Sequence, residues 1–288
     1  MSDFSALIID IKDSRKYKAS EREKIQYFIK KCISTLNELF KPSLKFEVVF
    51  SAGDEIQGLF QSPAAAFLYY RLFNMLVSPV ETRAGIGVGE WDIKIAGGHS
   101  TEQDGPVYHN ARYAIEKADE KNAQGVIFCS DLTDDIFVNT YLEVSTLLIS
   151  QQTEKQNQLL LLSEIMYPIV RSNTMNEQAL PAIGELLIEK VHIDFYAQWK
   201  WLLQSNSSLL FKGIPCVEII ETSHIYNLSI NSKDYISKIK GLSIQLSFIT
   251  GVTRQNIEKM LKAGNVYQIR DLQLITIVFM DKLFSGEE

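Results

Sequence analysis

The sequence predicts an α+β fold in the first part of the chain and a mainly helical second part. Over residues 1–135, strand-like apolar runs alternate with amphipathic helix patterns, and the strands are joined both by helices and by a tight turn. From residue 136 to residue 288, long Leu- and Ile-rich stretches replace this alternation. We therefore predict two domains, 1–135 and 136–288.

The chain begins with a strand, a helix and a hairpin. Residues 5–11 form a short apolar run ended by polar residues, which is typical of a buried strand. Ser20–Glu23 has the pattern of a capping box. The helix that it predicts carries one apolar stripe, made of Ile25, Phe28, Ile29, Cys32, Ile33, Leu36 and Phe40. Residues 46–60 predict a hairpin around the turn Ser51–Gly53.

The remaining elements of this domain follow in order. Ser62 and Pro63 are preferred types at a helix start, and the pattern predicts a helix to about Val77. The next predicted elements are two paired strands over 82–90 and 91–97, a helix over 107–122 and a strand over 125–129. This order is close to the ferredoxin-like plan with an added strand and with helices on one face.

Composition excludes several classes of protein. The 288 residues are 46% hydrophobic and carry a formal net charge of −6, so the chain as a whole is not a basic nucleic-acid clamp. Cys32, Cys129 and Cys216 lie far apart, which predicts neither a disulfide framework nor a zinc site. Because no leader or membrane-spanning run is visible, we expect a cytoplasmic protein that does not enter a membrane.

Two strand ends bring carboxylates together. Asp54 and Glu55 stand at the tip of the predicted hairpin, and Asp10 ends the first strand. If these strands are neighbours, the side chains converge at one edge of the sheet, which predicts a site for Mg²⁺ or Mn²⁺. Glu55 is either a third ligand or a solvated turn residue. A simpler reading makes each acid a turn former.

Three motifs in order resemble the class III nucleotidyl cyclase domain. They are Ile9-Asp10-Ile11, Gly53-Asp54-Glu55, and the strand 83–89 followed by the helix start at 105–112. The hairpin tip is also similar to that of GGDEF diguanylate cyclases. The closer resemblance is to the SatD family, through residues 10–15, 51–60 and 104–115.

The resemblance implies a site for a nucleotide and a metal ion. The turn Lys12–Lys16 would offer backbone N–H groups to phosphate. The nucleotide-binding residues implied are Lys12, Ser14, Arg15, Asn110 and Arg112. Arg112 would also stabilise charge on a transferred phosphoryl group, as the catalytic residue. Phe50 stands where cyclases read the base with a lysine, and Tyr108 stands where they carry an asparagine.

Residues 243–262 have the pattern of a helix-turn-helix. Gly251 suits a turn that needs positive φ, and Thr253 can cap the second helix. The DNA-binding residues predicted on that helix are Thr253, Arg254, Gln255, Asn256 and Lys259. Lys262 and Arg270 add positive charge nearby. The alternative is an ordinary helical hairpin without a DNA contact.

Three functional hypotheses follow. The leading one is a bacterial regulator whose cyclase-like domain binds a nucleotide with Mg²⁺ and whose helix-turn-helix binds DNA. The second is an active nucleotidyl cyclase, and the third is a degenerate cyclase-like domain used for protein contacts. Cyclase domains form their sites across a homodimer, and helix-turn-helix proteins usually dimerise, so a homodimer is predicted.

Overall fold

The first half of the chain is built on one five-stranded sheet, which confirms the predicted α+β class. A computed structural model describes residues 4–13, 16–95, 98–120, 125–199, 214–223 and 239–284. The sheet and its covering helices are β1 (Phe4–Ile11), α1 (Ala19–Phe40), β2 (Leu44–Ala52), β3 (Glu55–Phe60), α2 (Pro63–Val77), β4 (Thr82–Gly89), α3 (Pro106–Glu120) and β5 (Gly125–Cys129).

The sheet is mixed, with the strand order β2-β3-β1-β4-β5. The central strand β1 pairs antiparallel with β3 on one side and with β4 on the other. The hairpin strands β2 and β3 are antiparallel, whereas β4 and β5 are parallel. This order places the end of β1 directly beside the start of β3, where the hairpin turn ends.

Helices lie on both faces of the sheet, so the prediction of a single covered face is wrong. Leu7 and Ile9 belong to the core formed with α1 and α2. Ala6 and Ile8 belong to a second core, formed with α3. All four side chains are buried. The apolar run of β1 is continuous because a strand covered on both faces needs apolar residues at successive positions.

Glycines of β4 allow α3 to approach the sheet closely. A Cβ atom added at Gly87 would lie 2.1 Å from the backbone N of Ala111, and one at Gly85 would lie 2.4 Å from its carbonyl O. The lack of a side chain at these positions permits close packing between helix and sheet. The position of every side chain on α3 depends on this contact.

The segment after β4 does not form the predicted strand over 91–97. In its described part, residues 91–95, the pairing is limited to a bridge between Ile93 and Asp104. The segment turns over the α3 face of the sheet instead. There the buried Gln57 side chain donates a hydrogen bond from Nε2 to the carbonyl O of Ser100, at 2.9 Å.

The two helices on the other face begin differently. α1 begins at Ala19, and the Glu21 carboxylate accepts a hydrogen bond from the backbone N–H of Lys18 at 3.3 Å. Ser20 therefore lies inside the first turn, and the predicted capping box is wrong, although the predicted apolar stripe is buried as expected. α2 begins as predicted, with Ser62 accepting a hydrogen bond from the backbone N–H of Ala65.

Helices dominate the second half, as predicted. Its elements are α4 (Asp135–Ser150), α5 (Glu154–Met166), β6 (Ile169–Val170), α6 (Leu180–His192), β7 (Ile220–Glu221), α7 (Leu242–Thr250), α8 (Arg254–Ala263) and α9 (Val266–Phe284). α4 packs against β5 and α9 packs against α2, so one apolar core continues from the first half into the second. The domain boundary at residue 135 stays a prediction.

A buried network of charges joins the two halves. Both oxygens of Glu164 accept hydrogen bonds from Arg71, at 2.6 and 2.7 Å, and Oε2 also accepts one from Arg270 at 2.6 Å. All three side chains are buried. Arg270 therefore adds no positive charge to the surface around α8, contrary to the expectation from sequence, because Glu164 and the carbonyl O of Tyr167 hold it inside.

No helix in the described ranges has the length and apolar character needed to cross a membrane. Cytoplasmic localisation stays a prediction from sequence.

Candidate functional site

Three charged side chains form a row across neighbouring strands. Asp10 of β1 pairs with Glu55 of β3 on one side and with Arg83 of β4 on the other. Directly opposite residues project from the same face of a sheet. Because Ile9 and Ile11 face α1 and α2, this row of Glu55, Asp10 and Arg83 faces α3. We call these three residues the charged row.

One end of the charged row is an ion pair within the sheet. Arg83 Nη2 lies 2.7 Å from Asp10 Oδ2, and Arg83 Nη1 contacts the carboxylate of Asp119 near the end of α3. Asp10 and Arg83 each keep about a fifth of the side chain exposed. Through these two contacts Arg83 links β1, β4 and α3.

The other end of the charged row is a bidentate pair. Arg112 of α3 donates two hydrogen bonds to the Glu55 carboxylate, at 2.5 and 2.9 Å. The Ser51 hydroxyl donates a further hydrogen bond to Glu55 Oε1 at 2.8 Å. The Arg112 side chain is 47% exposed, so water and small ligands can reach the guanidinium group. Glu55 is thus engaged by both the helix and the hairpin.

The pKa values of the two carboxyl groups in the row are shifted in opposite directions. Burial raises the pKa of Asp10, the charge of Arg83 lowers it, and the charges of Asp54 and Glu55 raise it again, so that the net change is upward. The hydrogen bonds from Arg112 hold the pKa of Glu55 below its ordinary value. Asp10 is therefore harder to ionise than an ordinary carboxyl group, mainly because it is buried, while Glu55 is held ionised by Arg112.

The predicted metal ligands Asp10, Asp54 and Glu55 meet at one end of the sheet. Gly53 takes a left-handed conformation with φ of +64° and turns the chain so that Asp54 stands at the hairpin tip. In the described ranges, no three His, Cys, Asp or Glu side chains are already arranged to hold a metal ion. Two of the three predicted ligands, Asp10 and Glu55, form ion pairs with arginines instead. A metal site here stays a prediction.

The predicted phosphate turn is described only in part. Lys12 follows β1, where its backbone N–H donates to the carbonyl O of Glu81 at 2.9 Å and its Nζ lies 4.0 Å from the Glu81 carboxylate. Asp13 has a positive φ of 54°. Ser14 and Arg15, also predicted to bind a nucleotide, lie outside the described residues. Of the residues in this turn that were predicted to contact phosphate, Lys12 lies within the described residues. It is next to the charged row.

The structure separates Asn110 from Arg112. The Asn110 amide donates hydrogen bonds to the carbonyl O of Val88 and to the Asp131 carboxylate, both at 2.9 Å, on the β5 side of α3. Arg112 reaches Glu55 on the β3 side. Residues two apart on a helix point in nearly opposite directions. The two therefore do not come together in this conformation, although both were predicted to bind the nucleotide.

Sequence reasoning did not assign Asp119 or Ser51 to the site. Asp119 lies seven residues after Arg112, which is two turns of a helix, so both project from one side of α3. That spacing was a usable signal for Asp119. The role of Ser51 had no comparable signal, because it depends on how the hairpin is paired.

The segment predicted as a helix-turn-helix forms two helices, α7 and α8, joined by a turn. Gly251 joins the helices with φ of +67°, and its N–H donates to the carbonyl O of Ser247 at 2.9 Å. Thr253 caps α8 by accepting a hydrogen bond from the backbone N–H of Asn256. Ile257 is buried against the core. The predicted DNA-contacting side chains are all exposed, namely Thr253, Arg254, Gln255, Asn256 and Lys259.

Comparison with protein families gives one match. The profile of the SatD family matches residues 4–182, which is more than half of the chain. The chain belongs to the SatD family. The span shared with this family contains the complete sheet and every residue of the charged row, whereas α7 and α8 of this SatD-family chain lie beyond it. No curated protein matches the chain.

Proposed function

We propose that this SatD-family protein is a regulator that binds a nucleoside polyphosphate with Mg²⁺ and contacts DNA through α7 and α8. The observation that carries the first part is the charged row. Three charged side chains from three neighbouring strands lie at one end of the sheet, next to the hairpin tip, and face a helix that supplies Arg112. Acids and an exposed arginine in one place suit a metal ion bound together with a phosphate.

The charge of the site fits a divalent cation. Asp10 and Asp119 contact the guanidinium group of Arg83, and Glu55 contacts that of Arg112, so three carboxylates face two arginines. Burial is the main cause of the raised pKa of Asp10, and the charges of Asp54 and Glu55 add to it. Mg²⁺ would offset this negative charge, with Asp10 and Asp54 as oxygen ligands and with water and phosphate oxygens completing the shell.

Binding a phosphate would exchange partners within the row. Arg112 is held by Glu55 and is half-exposed, so a phosphate can compete for its two N–H groups. Once released, Glu55 becomes available as a third carboxylate for the metal ion. Metal and phosphate should therefore strengthen each other's binding, since each removes one partner of the Arg112–Glu55 pair. Lys12 lies beside the row, where it can approach the same phosphate.

The topology supports the proposed relationship to cyclase domains. The order β2-β3-β1-β4, with β1 antiparallel to both neighbours, follows the ferredoxin-like plan on which those domains are built. On that plan, the hairpin and the end of β1 correspond to the parts for which the resemblance to cyclases implies metal binding. The charged row thus lies where the resemblance implies a nucleotide site.

We favour binding over turnover. Phe50 replaces the base-reading lysine of cyclases and packs against the apolar core. Asn110 is engaged by Val88 and Asp131, away from Arg112. Two side chains that would orient the substrate for catalysis are therefore changed or turned elsewhere, whereas the charges suited to metal and phosphate are in place.

The proposed DNA contact is supported by the exposed face of α8. Arg254, Gln255, Asn256 and Lys259 project from it, and the helix is capped and anchored by buried side chains. Lys259→Ala should lower the affinity for duplex DNA and reduce the salt dependence by about one unit of slope. Lys30→Ala, an exposed change on α1, is the control. An equal effect of both changes, or no binding to duplex at low salt, would count against α8.

The nucleotide proposal is tested by melting the full-length protein with nucleoside triphosphates, Mg²⁺, or both. A ligand that binds only the folded state stabilises it by RT ln(1 + [L]/Kd), so the melting temperature rises with ligand concentration. We expect a shift with both together that exceeds the sum of the separate shifts. Asp10→Asn and Asp54→Asn should abolish it, whereas Asp92→Asn, an exposed acid outside the row, should not.

Two further measurements separate the alternatives. Cyclic or linear dinucleotide products that vanish in Asp54→Ala would establish the cyclase hypothesis in place of simple binding. No thermal shift with any triphosphate and metal would favour the protein-contact hypothesis. The homodimer stays a prediction, and sedimentation of a strict monomer at tens of micromolar would contradict it.

A further inference from the structure

A cleft lies between the two halves of the molecule, on the face of the sheet opposite the charged row. Its volume is about 280 Å³, close to the lower limit of about 300 Å³ for typical small-molecule sites. The walls come from α2, the turn between α2 and β4, α4 and α5. We call it the interhalf cleft and define it by Tyr70, Asn74, Thr82, Leu142, Ser145 and Asn157. Thr82 lines this cleft, while the next residue, Arg83, projects from the opposite face of the sheet and belongs to the charged row.

Several neutral polar groups lie side by side in the interhalf cleft. Thr82 Oγ1 donates a hydrogen bond to Asn74 Oδ1 at 2.9 Å and lies 3.5 Å from the Tyr70 hydroxyl. Opposite them, Ser78 donates from its hydroxyl to Asn157 Oδ1 at 2.9 Å. Amide and hydroxyl groups offer donors and acceptors side by side, which matches the edge of a neutral heterocycle.

Another part of the lining is apolar. It includes Phe67, Val80, Leu142, Ile149 and Leu160. An apolar wall with a few convergent polar groups is the usual composition of a small-molecule site, because the wall binds the body of the ligand and the polar groups orient it.

The charges around the cleft disfavour an anion. Arg71 is its one lining cation among the described residues, but both oxygens of Glu164 already bind that guanidinium, which is buried. Glu81 and Glu154 line the cleft and are exposed. Lys12 pairs with Glu81 at 4.0 Å, so the negative charge at the opening comes mainly from Glu154. A phosphate or carboxylate on the ligand would meet this charge.

From these observations we propose that the interhalf cleft binds an uncharged nucleoside-like molecule, with a flat heterocycle against the apolar wall and its polar edge on Asn74, Thr82 and Asn157. The bound molecule touches both halves, because Asn74 and Thr82 belong to the first and Asn157 to the second. It would therefore stabilise the packing of the helical half on the sheet. This site is independent of the nucleotide and metal site proposed above.

Methyl NMR of methionine tests this proposal on the unmodified protein. Met75 lines the cleft, and Met260 on α8 serves as an internal control. The probes are adenosine, guanosine, cytidine and uridine at millimolar concentration, each compared with its 5′-monophosphate, without Mg²⁺. We expect at least one nucleoside to shift the Met75 signal and leave that of Met260 unchanged. The matching monophosphate should bind more weakly.

Two variants locate the effect. Asn74→Leu keeps the volume of the side chain but removes the polar edge, so it should weaken binding about tenfold. Glu154→Gln removes a charge at the opening and should improve binding of the monophosphate relative to the nucleoside. No shift of Met75 with any nucleoside, or equal binding of both members of each pair, overturns the proposal. A Met75 shift that Arg112→Gln abolishes also overturns it, because the signal would then report the charged row.

Discussion

Two arginine–carboxylate pairs of this protein have the same bidentate geometry in very different surroundings. Arg112 and Glu55 meet at the surface end of the sheet, with side chains 47% and 21% exposed. Arg71 and Glu164 meet between the two halves, with side chains 1% and 0% exposed. The first pair can exchange its partners with water or a ligand. The second cannot, so we assign the first to binding and the second to structure.

Both oxygens of the buried Glu164 carboxylate accept hydrogen bonds from arginines, as a charge in the interior requires. Burial alone would raise the pKa of Glu164, but Arg71 and Arg270 outweigh it and hold the pKa below its ordinary value. The carboxylate also accepts a hydrogen bond from the backbone N–H of Ile169 at 2.9 Å. These contacts form together only when α2, α5 and α9 are packed in one particular relative position. The buried network therefore defines how the halves fit together.

The largest predicted effect is that of breaking the buried network. Glu164→Gln leaves two buried guanidinium groups without a counter-charge and should lower the free energy of unfolding by about 3–5 kcal/mol. Urea unfolding followed by circular dichroism measures it. Glu55→Gln, the matched change in the exposed pair, should cost less than about 1 kcal/mol. Equal losses in the two variants would remove the distinction between the pairs.

A second prediction concerns the contact that positions Arg112. Gly87→Ala places a methyl group against the backbone of α3, which must shift, so unfolding should become easier by about 1–3 kcal/mol. The shift should also weaken binding at the charged row. Gly241→Ala, where a Cβ meets no atom within 4 Å, serves as the control and should affect stability through backbone strain alone. Intact ligand binding in Gly87→Ala would show that the row tolerates movement of α3.

The third prediction uses a buried cation that has no carboxylate partner in the structure described. Lys190 donates a hydrogen bond to the carbonyl O of Leu76 at 2.7 Å, and its Nζ lies 4.2 Å from the ring centre of Trp199. Burial lowers the pKa of Lys190 to about 7. Above that pH the unfolded chain holds a proton that the folded protein has released. The free energy of unfolding should consequently rise with pH from about 7 towards about 10.5, by up to about 1.4 kcal/mol per unit.

Urea titrations at several pH values between about 7 and about 9 measure this slope. In Lys190→Met, which keeps the length of the side chain without its charge, the slope should disappear. A slope that persists in the variant would assign the titration to another group.

The smallest effect on stability is expected at the exposed pair. Arg112→Gln should change the free energy of unfolding by less than about 1 kcal/mol, because the pair is solvated. The same change should lower the affinity for a triphosphate with Mg²⁺ about tenfold or more, since a charge-assisted hydrogen bond is lost. Calorimetric titration measures the affinity, and Arg112→Lys should restore only part of it. A large loss of stability with unchanged affinity would reverse the roles of the two pairs.

Local pattern was sufficient for part of the site. The turn at Gly53 and the end of β1 were predicted from residue types, and their strands are neighbours as the hypothesis required. The helix start at Ser62 and the turn at Gly251 were also predicted, because each depends on a few adjacent residues. Asn110 and Arg270 show the limit of such reasoning. Their partners lie on other elements, and no pattern along the chain indicates them.

The sequence by itself determined the α+β class, the order of the main elements of the first half, and the residues that meet at the hairpin. These follow from apolar spacing, turn chemistry and caps, which act over a few residues. Only the tertiary structure decided that α3 covers the second face of the sheet, that Glu55 is held by Arg112, and that Arg270 is buried with Glu164. Those outcomes depend on which surfaces exclude water together, and that is a property of the whole packed chain.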